Sequence, residues 1–283
     1  MKLTFLFSFL LTITTSFPAF AVPELSKNLP PWGLSTVAAD SFAFSFEGIV
    51  GLSNCSGSIV RFENSLETDA AMVLTNGHCI ELMPAGMVKV HVPVTRSFRI
   101  LGPQAELKGT VVSTEILYGT MTKTDMAIYT LSKTFAQIYN EFNTRPFTLS
   151  KEYVRPSTDI EVISGYWKRG YACRAEAIIP TVKEDRWTWS DSIRYSNPGC
   201  ETIGGTSGSP VLVAGTRTVI GVNNTNNENS QRCTLNNPCE VDQNGNITIQ
   251  PGRGYAQQVA WIYSCLNQNR QLDLNKVGCL LPR

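Results

Sequence analysis

Short apolar runs separated by Gly, Pro, Asn and Ser fill the chain between about residues 40 and 225. Ten of them read as strands: FAFSFEGIVGL, CSGSIVRF, AAMVLT, MVKVHVPV, GTVVSTEILY, MAIYTL, DIEVISGYW, ACRAEAII, SPVLVA and TVIGVN. Such spacing predicts an all-β barrel or sandwich. The segment TFAQIYNEFNTRPFTLS, near 134–150, breaks the alternation and is interpreted as a connector. It divides the strands into two sets of similar size.

The C-terminal part of the chain has a different pattern. In YAQQVAWIYSCLNQN, apolar residues recur at the helical period at Val259, Ile262, Tyr263 and Leu266, which predicts one surface helix. The preceding region, 226–254, is polar and rich in turn residues. It is interpreted as a long loop or hairpin stapled through Cys233 or Cys239.

The first residues are typical of a secretory signal. One lysine precedes an apolar run, and Ala19-Phe20-Ala21 has the small-x-small pattern of a cleavage site, so residues 1–21 are predicted to be a signal peptide. The alternative, an uncleaved anchor, is disfavoured because the run stops at Pro18, short of the roughly 20 residues that span a bilayer. The protein is expected to be secreted, extracellular or periplasmic, and free of the membrane after signal removal.

The composition of the chain argues against some classes of binding partner. Because 24 basic and 23 acidic residues nearly balance and no Lys/Arg cluster occurs, nucleic acid is not expected as a partner. Two histidines and no zinc-type C-x-x-C pair argue against a metal site. Eight cysteines in an exported chain predict up to four disulfides, and these residues alone leave all 105 connectivities open.

A serine lies in a glycine-rich turn in GGTSGSPV, residues 204–211. The hydroxyl of Ser207 is a poor nucleophile until an imidazole takes its proton. His91 lies in MVKVHVPV, where alternation places it opposite the valines, most simply facing solvent. His78 lies in VLTNGHC, where a buried strand runs into the turn signal Asn76-Gly77. His78 is therefore the candidate base.

A carboxylate must orient that imidazole. Asp69 is nearest in sequence but lies roughly 30 Å back along the same extended strand at about 3.3 Å per residue. Asp125, in KTDMAIYTL, starts an apolar strand that a chain reversal can bring beside another strand's end. An Asp before a strand is more often a turn residue.

Chain order separates the known serine hydrolase scaffolds. Both histidines precede Ser207, which excludes the order of α/β-hydrolases. The subtilisin order needs Asp40 or Asp69 and a helix after the nucleophile, which Pro210 and the following strand do not fit. The order His78, Asp125, Ser207 remains.

The glycines around Ser207 suit an oxyanion hole. Backbone N–H groups must point at the oxygen that becomes negative, and glycine lets the chain curl without a Cβ clash. We assign that role to the N–H groups of Gly205 and Ser207. The alternative, a flexible Gly/Ser loop, is disfavoured by the flanking Cys200 and the following strand.

Four motifs together resemble the chymotrypsin/trypsin-like serine peptidase family, and most closely its bacterial, glutamyl endopeptidase-like branch. They are NCSGSIV with Cys55, LTNGHC with His78 and Cys79, TDMAIYTL with Asp125, and GGTSGSPVL with Ser207. They occur in the family's order and span about 160 residues.

The resemblance implies an all-β fold of two antiparallel six-stranded β-barrels, with the triad between them and a C-terminal α-helix. It places a first barrel at 39–140 and a second at 141–283. It also implies bridges Cys55–Cys79 and Cys173–Cys200, which leaves Cys233–Cys239 and Cys265–Cys279 as the simplest remaining pairs.

Activation departs from the animal trypsins. Those enzymes have an Asp before the serine that receives a new N-terminus, whereas this chain has Thr206, so that ion-pair switch cannot operate. The family's cleavage motif is also missing, because Ile49-Val50-Gly51 reads as a strand interior. Residues 22–38 are assigned to an N-terminal segment, and the end of any propeptide lies there.

Three residues are candidates for the substrate pocket. Thr202 matches the residue that helps glutamyl endopeptidases bind acidic side chains, but Asn223 stands where they place a pocket histidine, which argues against a preference for Glu. Glu201, six residues before the serine, is a candidate acidic floor for Arg or Lys.

The hypothesis is a secreted, monomeric serine endopeptidase that acts on protein or peptide substrates and needs no metal or organic cofactor. Two alternatives stay open: a trypsin-like binding protein without turnover, and an esterase of the same fold.

Overall fold

The computed structural model describes residues 44–283 as one compact unit. The predicted signal peptide, residues 1–21, and the N-terminal segment 22–38 lie outside the described residues. The described chain is all-β with two short helices. No helix between residues 44 and 283 has the length and apolar character needed to span a bilayer.

The first half of the described chain forms a closed, six-stranded antiparallel barrel. Hydrogen bonding runs β1-β2-β3-β7-β6-β5 and returns to β1, and β4 pairs with β6 outside this circuit. The strands are β1 (Ile49–Gly51), β2 (Ser56–Arg61), β3 (Ala70–Thr75), β4 (Val88–Pro93), β5 (Ser97–Leu101), β6 (Leu107–Thr120) and β7 (Met126–Thr134).

The connector predicted near 134–150 contains a helix, α1 (Phe135–Phe142), followed by β8 (Phe147–Leu149). Thr134 and Gln137 form a capping box at the start of α1, which satisfies two backbone N–H groups. The helix buries Phe135, Ile138 and Phe142. β8 pairs in parallel with β2 and with β13 (Thr218–Asn226), so it joins the two halves in one continuous sheet.

Six strands of the second half also pair in a ring, which we call the second circuit. Antiparallel pairing runs β9-β10-β11-β16-β13-β12 and returns to β9. β14 and β15 form a hairpin whose first strand pairs with β10. The ranges are β9 (Thr158–Ser164), β10 (Arg169–Glu184), β11 (Trp187–Tyr195), β12 (Pro210–Val213), β14 (Cys239–Val241), β15 (Ile247–Ile249) and β16 (Gly254–Gln258).

The C-terminal helix is much shorter than the helical period predicts. Residues 254–258 belong to β16, and α2 (Trp261–Ser264) is a single turn. The chain reverses at once, because the N–H of Asp273 donates to the carbonyl of Cys265 and a disulfide joins Cys265 to Cys279. Val259 and Ile262 are buried nevertheless, so the periodicity correctly marks the apolar residues but overestimates the length of the helix.

All eight cysteines are paired. The bonds join Cys55 to Cys79, Cys173 to Cys200, Cys233 to Cys239 and Cys265 to Cys279. Cys55, Cys79 and His78 lie close enough together to resemble a metal site. The two sulfurs are bonded to each other, however, so neither is a thiolate that could bind a metal ion.

Large apolar side chains pack where the first barrel meets the second circuit. Met83 and Met121 share a buried cluster with Trp187 and Trp189 of β11. The indole N–H of Trp187 donates to the carbonyl of Met83 at 2.8 Å. Replacing such a buried Trp with Ala typically lowers the free energy of unfolding by about 3–5 kcal/mol. This contact therefore stabilises the junction between the two halves beside the site.

Candidate active site

His78 and Asp125 are joined by two hydrogen bonds. Asp125 is fully buried and lies immediately before β7. Its Oδ2 lies 2.7 Å from Nδ1 of His78, and its Oδ1 accepts the backbone N–H of His78 at 3.0 Å. The carboxylate therefore fixes both the position and the tautomer of the imidazole, with the proton on Nδ1 and the lone pair on Nε2.

The environment of His78 sets its protonation. Burial lowers the pKa of this imidazole, but the charge and hydrogen bond of Asp125, with a smaller contribution from Glu184, raise it by more. The net pKa is raised above the usual 6.5. An imidazole with a raised pKa is a stronger base toward a hydroxyl proton.

Asn76, two residues before His78, connects the separate parts of the site. Its Nδ2 donates to the backbone carbonyl of Asp125 at 2.7 Å, and its Oδ1 accepts the N–H of Gly208 at 2.6 Å. The side chain is fully buried. The sequence marks Asn76 only as a turn residue, and its bridging role depends on contacts 49 and 132 residues away.

Ser207 lies on a tight turn before β12. The backbone N–H of Ser56 donates to its carbonyl at 2.8 Å. The next residue, Gly208, has φ +80°, and a Cβ there would lie 2.1 Å from the carbonyl oxygen of Ser56. Only glycine fits where these two segments of the chain approach each other, so the turn that carries Ser207 needs Gly208 after it.

Ser207 lines the same cavity as His78 and Asp125. Its Oγ donates to the carbonyl of Asn224 at 3.4 Å. Within residues 44–283, no hydrogen bond joins Ser207 Oγ to His78. The serine and the imidazole thus line one cavity.

The peptide between Gly204 and Gly205 has a defined orientation. The indole N–H of Trp167 donates to the Gly204 carbonyl at 2.7 Å, and Ser56 Oγ donates to the Gly205 carbonyl at 3.2 Å. In a trans peptide the C=O and the next N–H point in opposite directions. The N–H of Gly205 therefore points away from Trp167.

The three pocket candidates lie in different environments. Asn223 lines the cavity, but its amide is bound by its neighbours: Nδ2 donates to Thr206, and Oδ1 accepts the hydroxyl of Tyr195. Thr202 is buried and does not line the cavity. Glu201 is exposed and lies outside the lining, so it is not the acidic floor of this cavity.

The second histidine lies apart from this cavity. His91 is on β4, and its Nδ1 lies 3.1 Å from Glu115 at the surface. It does not line the cavity that contains Ser207.

Glu184, at the end of β10, is the site residue that sequence reasoning missed. It lines the cavity yet is only 4% exposed. Burial raises the pKa of its carboxyl to about 7, although contacts with Thr225 and the N–H of Asn236 oppose the rise. No sequence motif marks this position, because the cavity forms only when the β10–β11 hairpin meets the loop after β13.

A serine that lines the same cavity as an oriented His–Asp pair is the arrangement used for acyl transfer through a serine nucleophile. A sequence profile described as "Trypsin-like peptidase domain" matches residues 55–222. The chain belongs to the trypsin-like peptidase family. No curated protein sequence matches it significantly.

Solved structures similar to this chain include proteases of low sequence identity. The MamO protease domain from Magnetospirillum magneticum is 14% identical, with a TM-score of 0.49 over 81% of this chain and 100% of that one. Cellulomonas bogoriensis chymotrypsin is 17% identical, with a TM-score of 0.40 over 77% and 91%. A glutamic acid specific serine protease is 15% identical, with a TM-score of 0.39 over 76% and 93%.

Proposed function

We propose that the protein is a secreted serine endopeptidase that cleaves peptide bonds through Ser207, His78 and Asp125. One observation carries this proposal: the buried Asp125 holds His78 by two hydrogen bonds at the cavity that Ser207 also lines. Family membership supports a peptidase. In this proposal the second circuit is the second barrel, and the site lies between the barrels.

The proposed reaction is acyl transfer in two halves. Ser207 Oγ attacks the scissile carbonyl carbon while Nε2 of His78 takes the hydroxyl proton, and the N–H groups of Gly205 and Ser207 bind the resulting oxyanion. His78 then gives the proton to the leaving amine, which leaves an acyl-enzyme. A water molecule, deprotonated by His78, attacks this ester and releases the acid and free Ser207.

The trypsin activation switch is replaced by other contacts in this proposal. Thr206 stands where the animal enzymes have the Asp that pairs with a new N-terminus. Here the Thr206 carbonyl and hydroxyl accept hydrogen bonds from Asn223 Nδ2 at 3.1 and 3.2 Å. Asn223 therefore stabilises the turn before Ser207 with neutral hydrogen bonds, and the site needs no new N-terminus to form.

The glutamyl endopeptidase branch is not supported by Asn223, because its side chain is occupied by Thr206 and Tyr195. Secretion is supported by the four disulfides, which form and persist in oxidising compartments. We propose a monomer acting on protein or peptide substrates.

Two alternatives share the fold. A binding protein without turnover is favoured by one contact, the hydrogen bond of Ser207 to Asn224 instead of His78. An esterase would use the same chemistry on small acyl substrates.

Digestion of a peptide library, read by mass spectrometry, separates the three. We expect internal cuts by the wild-type protein and none by Ser207→Ala. Ester hydrolysis without peptide cleavage indicates the esterase, and neither reaction from a folded, oxidised protein indicates the binding protein.

A further inference from the structure

We propose that Glu184 is the anionic end of a substrate subsite that binds a cationic side chain, Lys or Arg, near the scissile bond. This inference rests on the proposed peptidase function and adds its substrate class. The residue lies outside every motif that marks the catalytic machinery, and it reaches the cavity from the second half of the chain, whereas His78 and Asp125 come from the first.

The Glu184 carboxyl is buried and has few partners. Oε1 accepts the backbone N–H of Asn236 at 2.8 Å, and the side chain of Thr225 lies near enough to lower the pKa of the carboxyl. No hydrogen bond to Oε2 forms among the described residues. Burying the charged carboxylate is costly, and burial therefore raises its pKa to about 7. A substrate cation that enters the cavity supplies a further donor and favours the ionised carboxyl.

The hairpin geometry explains why Glu184 faces inward. Glu184 pairs with Trp187 across a two-residue turn in which Asp185 has φ +48°. Side chains alternate along a strand, so Glu184 lies on the same face as Val182, two residues earlier. Val182 packs in the buried cluster with Trp187 and Trp189. The Glu184 carboxyl therefore lies on the inner face of the β10–β11 hairpin, at the end of that face which lines the cavity.

The charge of the cavity fits a cation. Its ionisable lining groups are His78, Asp125, Glu184 and Glu228, and no Lys or Arg is among its described lining residues. Asp125 is committed to His78, and Glu228 is exposed at the rim. Glu184 is thus the buried acid left to bind a substrate group.

The walls of the cavity fit the rest of a Lys or Arg side chain. The volume is about 120 Å³, and the exposed side chains of Leu82, Ile203 and Leu235 contribute apolar surface. Lys and Arg carry apolar stems that pack on such surfaces. At pH 8, where the Glu184 carboxyl is ionised, an acidic substrate side chain is repelled.

Cleavage preference in a peptide library tests the proposal with two matched variants. Glu184→Gln keeps the shape and removes the charge. Asp185→Asn removes the neighbouring carboxyl, which is exposed and paired with Arg186, and Asn suits its positive φ. We expect Glu184→Gln to lose at least about tenfold in kcat/KM for Lys- or Arg-containing sites relative to neutral ones, and Asp185→Asn to match wild type.

A fluorophosphonate that labels Ser207 keeps this outcome separate from the proposed function. If the Glu184→Gln variant is labelled at Ser207 and its preference for Lys or Arg sites is unchanged, the subsite proposal is wrong and the proposed peptidase function is unaffected. Wild-type protein that is neither labelled nor active overturns the peptidase itself.

Ligand binding to wild-type protein provides a test that needs neither turnover nor a variant. Calorimetry compares N-acetyl-argininamide with N-acetyl-citrullinamide, its neutral isostere, at pH 8. At least about tenfold tighter binding of the arginine compound supports the subsite even if Glu184→Gln does not fold. Equal binding of the two compounds, or no binding of either, contradicts it.

Discussion

Asp125 accepts two hydrogen bonds from His78, one from Nδ1 at 2.7 Å and one from the backbone N–H at 3.0 Å. The two carboxylate oxygens thus have separate roles, because Oδ1 fixes the turn and Oδ2 fixes the ring. This division links the tautomer of the imidazole to the backbone that carries it.

Asp125→Asn is expected to abolish most activity without unfolding the protein. The amide keeps the shape but cannot hold the proton on Nδ1 while leaving Nε2 free, so kcat falls by about 10⁴-fold. Steady-state kinetics and thermal unfolding measure the two effects. Asp69→Asn, at the surface near Arg270, is the control and retains wild-type kcat. A fall of less than about tenfold in Asp125→Asn would contradict the role of this carboxylate.

The pH dependence of kcat/KM follows from the raised pKa of His78. The imidazole must be neutral to take the serine proton, and a raised pKa keeps it protonated to higher pH. Activity is therefore lost as the pH falls, with a midpoint above 6.5. Because the Glu184 charge contributes to the raised pKa, Glu184→Gln shifts the midpoint downward. An acid limb at or below 6.5 in the wild type would contradict the assignment.

Asn76→Ala tests the bridge between the aspartate and serine segments. It leaves the buried Asp125 carbonyl without the Asn76 donor and removes an acceptor from the Gly208 N–H. We expect a loss of about 2–5 kcal/mol in the free energy of unfolding, measured by urea denaturation, and a lower kcat. Asn246→Ala, which loses an exposed hydrogen bond to Asp242, is the control and changes stability by less than about 1 kcal/mol. Equal losses of unfolding free energy in the two variants would contradict the bridging role of Asn76.

Trp167→Phe tests the orientation of the oxyanion hole. The variant loses the N–H that holds the Gly204 carbonyl and keeps most of the ring. We expect kcat to fall about tenfold with little change in KM, because the oxyanion contact proposed for the Gly205 N–H forms mainly in the transition state. Trp261→Phe loses an indole hydrogen bond to Tyr153 away from the cavity and keeps its kcat. A rise in KM with unchanged kcat for Trp167→Phe would show a substrate contact instead.

The sequence predicts the all-β class and the cavity-lining positions of His78, Asp125 and Ser207 because each is tied to local chemistry. A strand end, an apolar run or a glycine turn can be read within ten residues. The capping box of Thr134 and Gln137 is equally local, so α1 could also have been predicted from the sequence.

Other features depend on distant contacts and could not be read from the sequence. The helical period after Val259 is real, but Cys279 and the return of the chain to Cys265 limit α2 to one turn. Glu184 has no motif at all. It becomes a cavity residue only because β10 and β11 bring it against the loop at Asn236.

Covalent labelling of Ser207 tests the central claim most directly. Oxidised protein is incubated with a fluorophosphonate at pH 8, and the adduct is located by peptide mass spectrometry, with His78→Ala as the comparison. The account predicts one adduct, on Ser207, that forms rapidly in wild type and at least about 10³-fold more slowly in His78→Ala. A folded, disulfide-bonded protein with no adduct, or with an adduct on another residue, would contradict it.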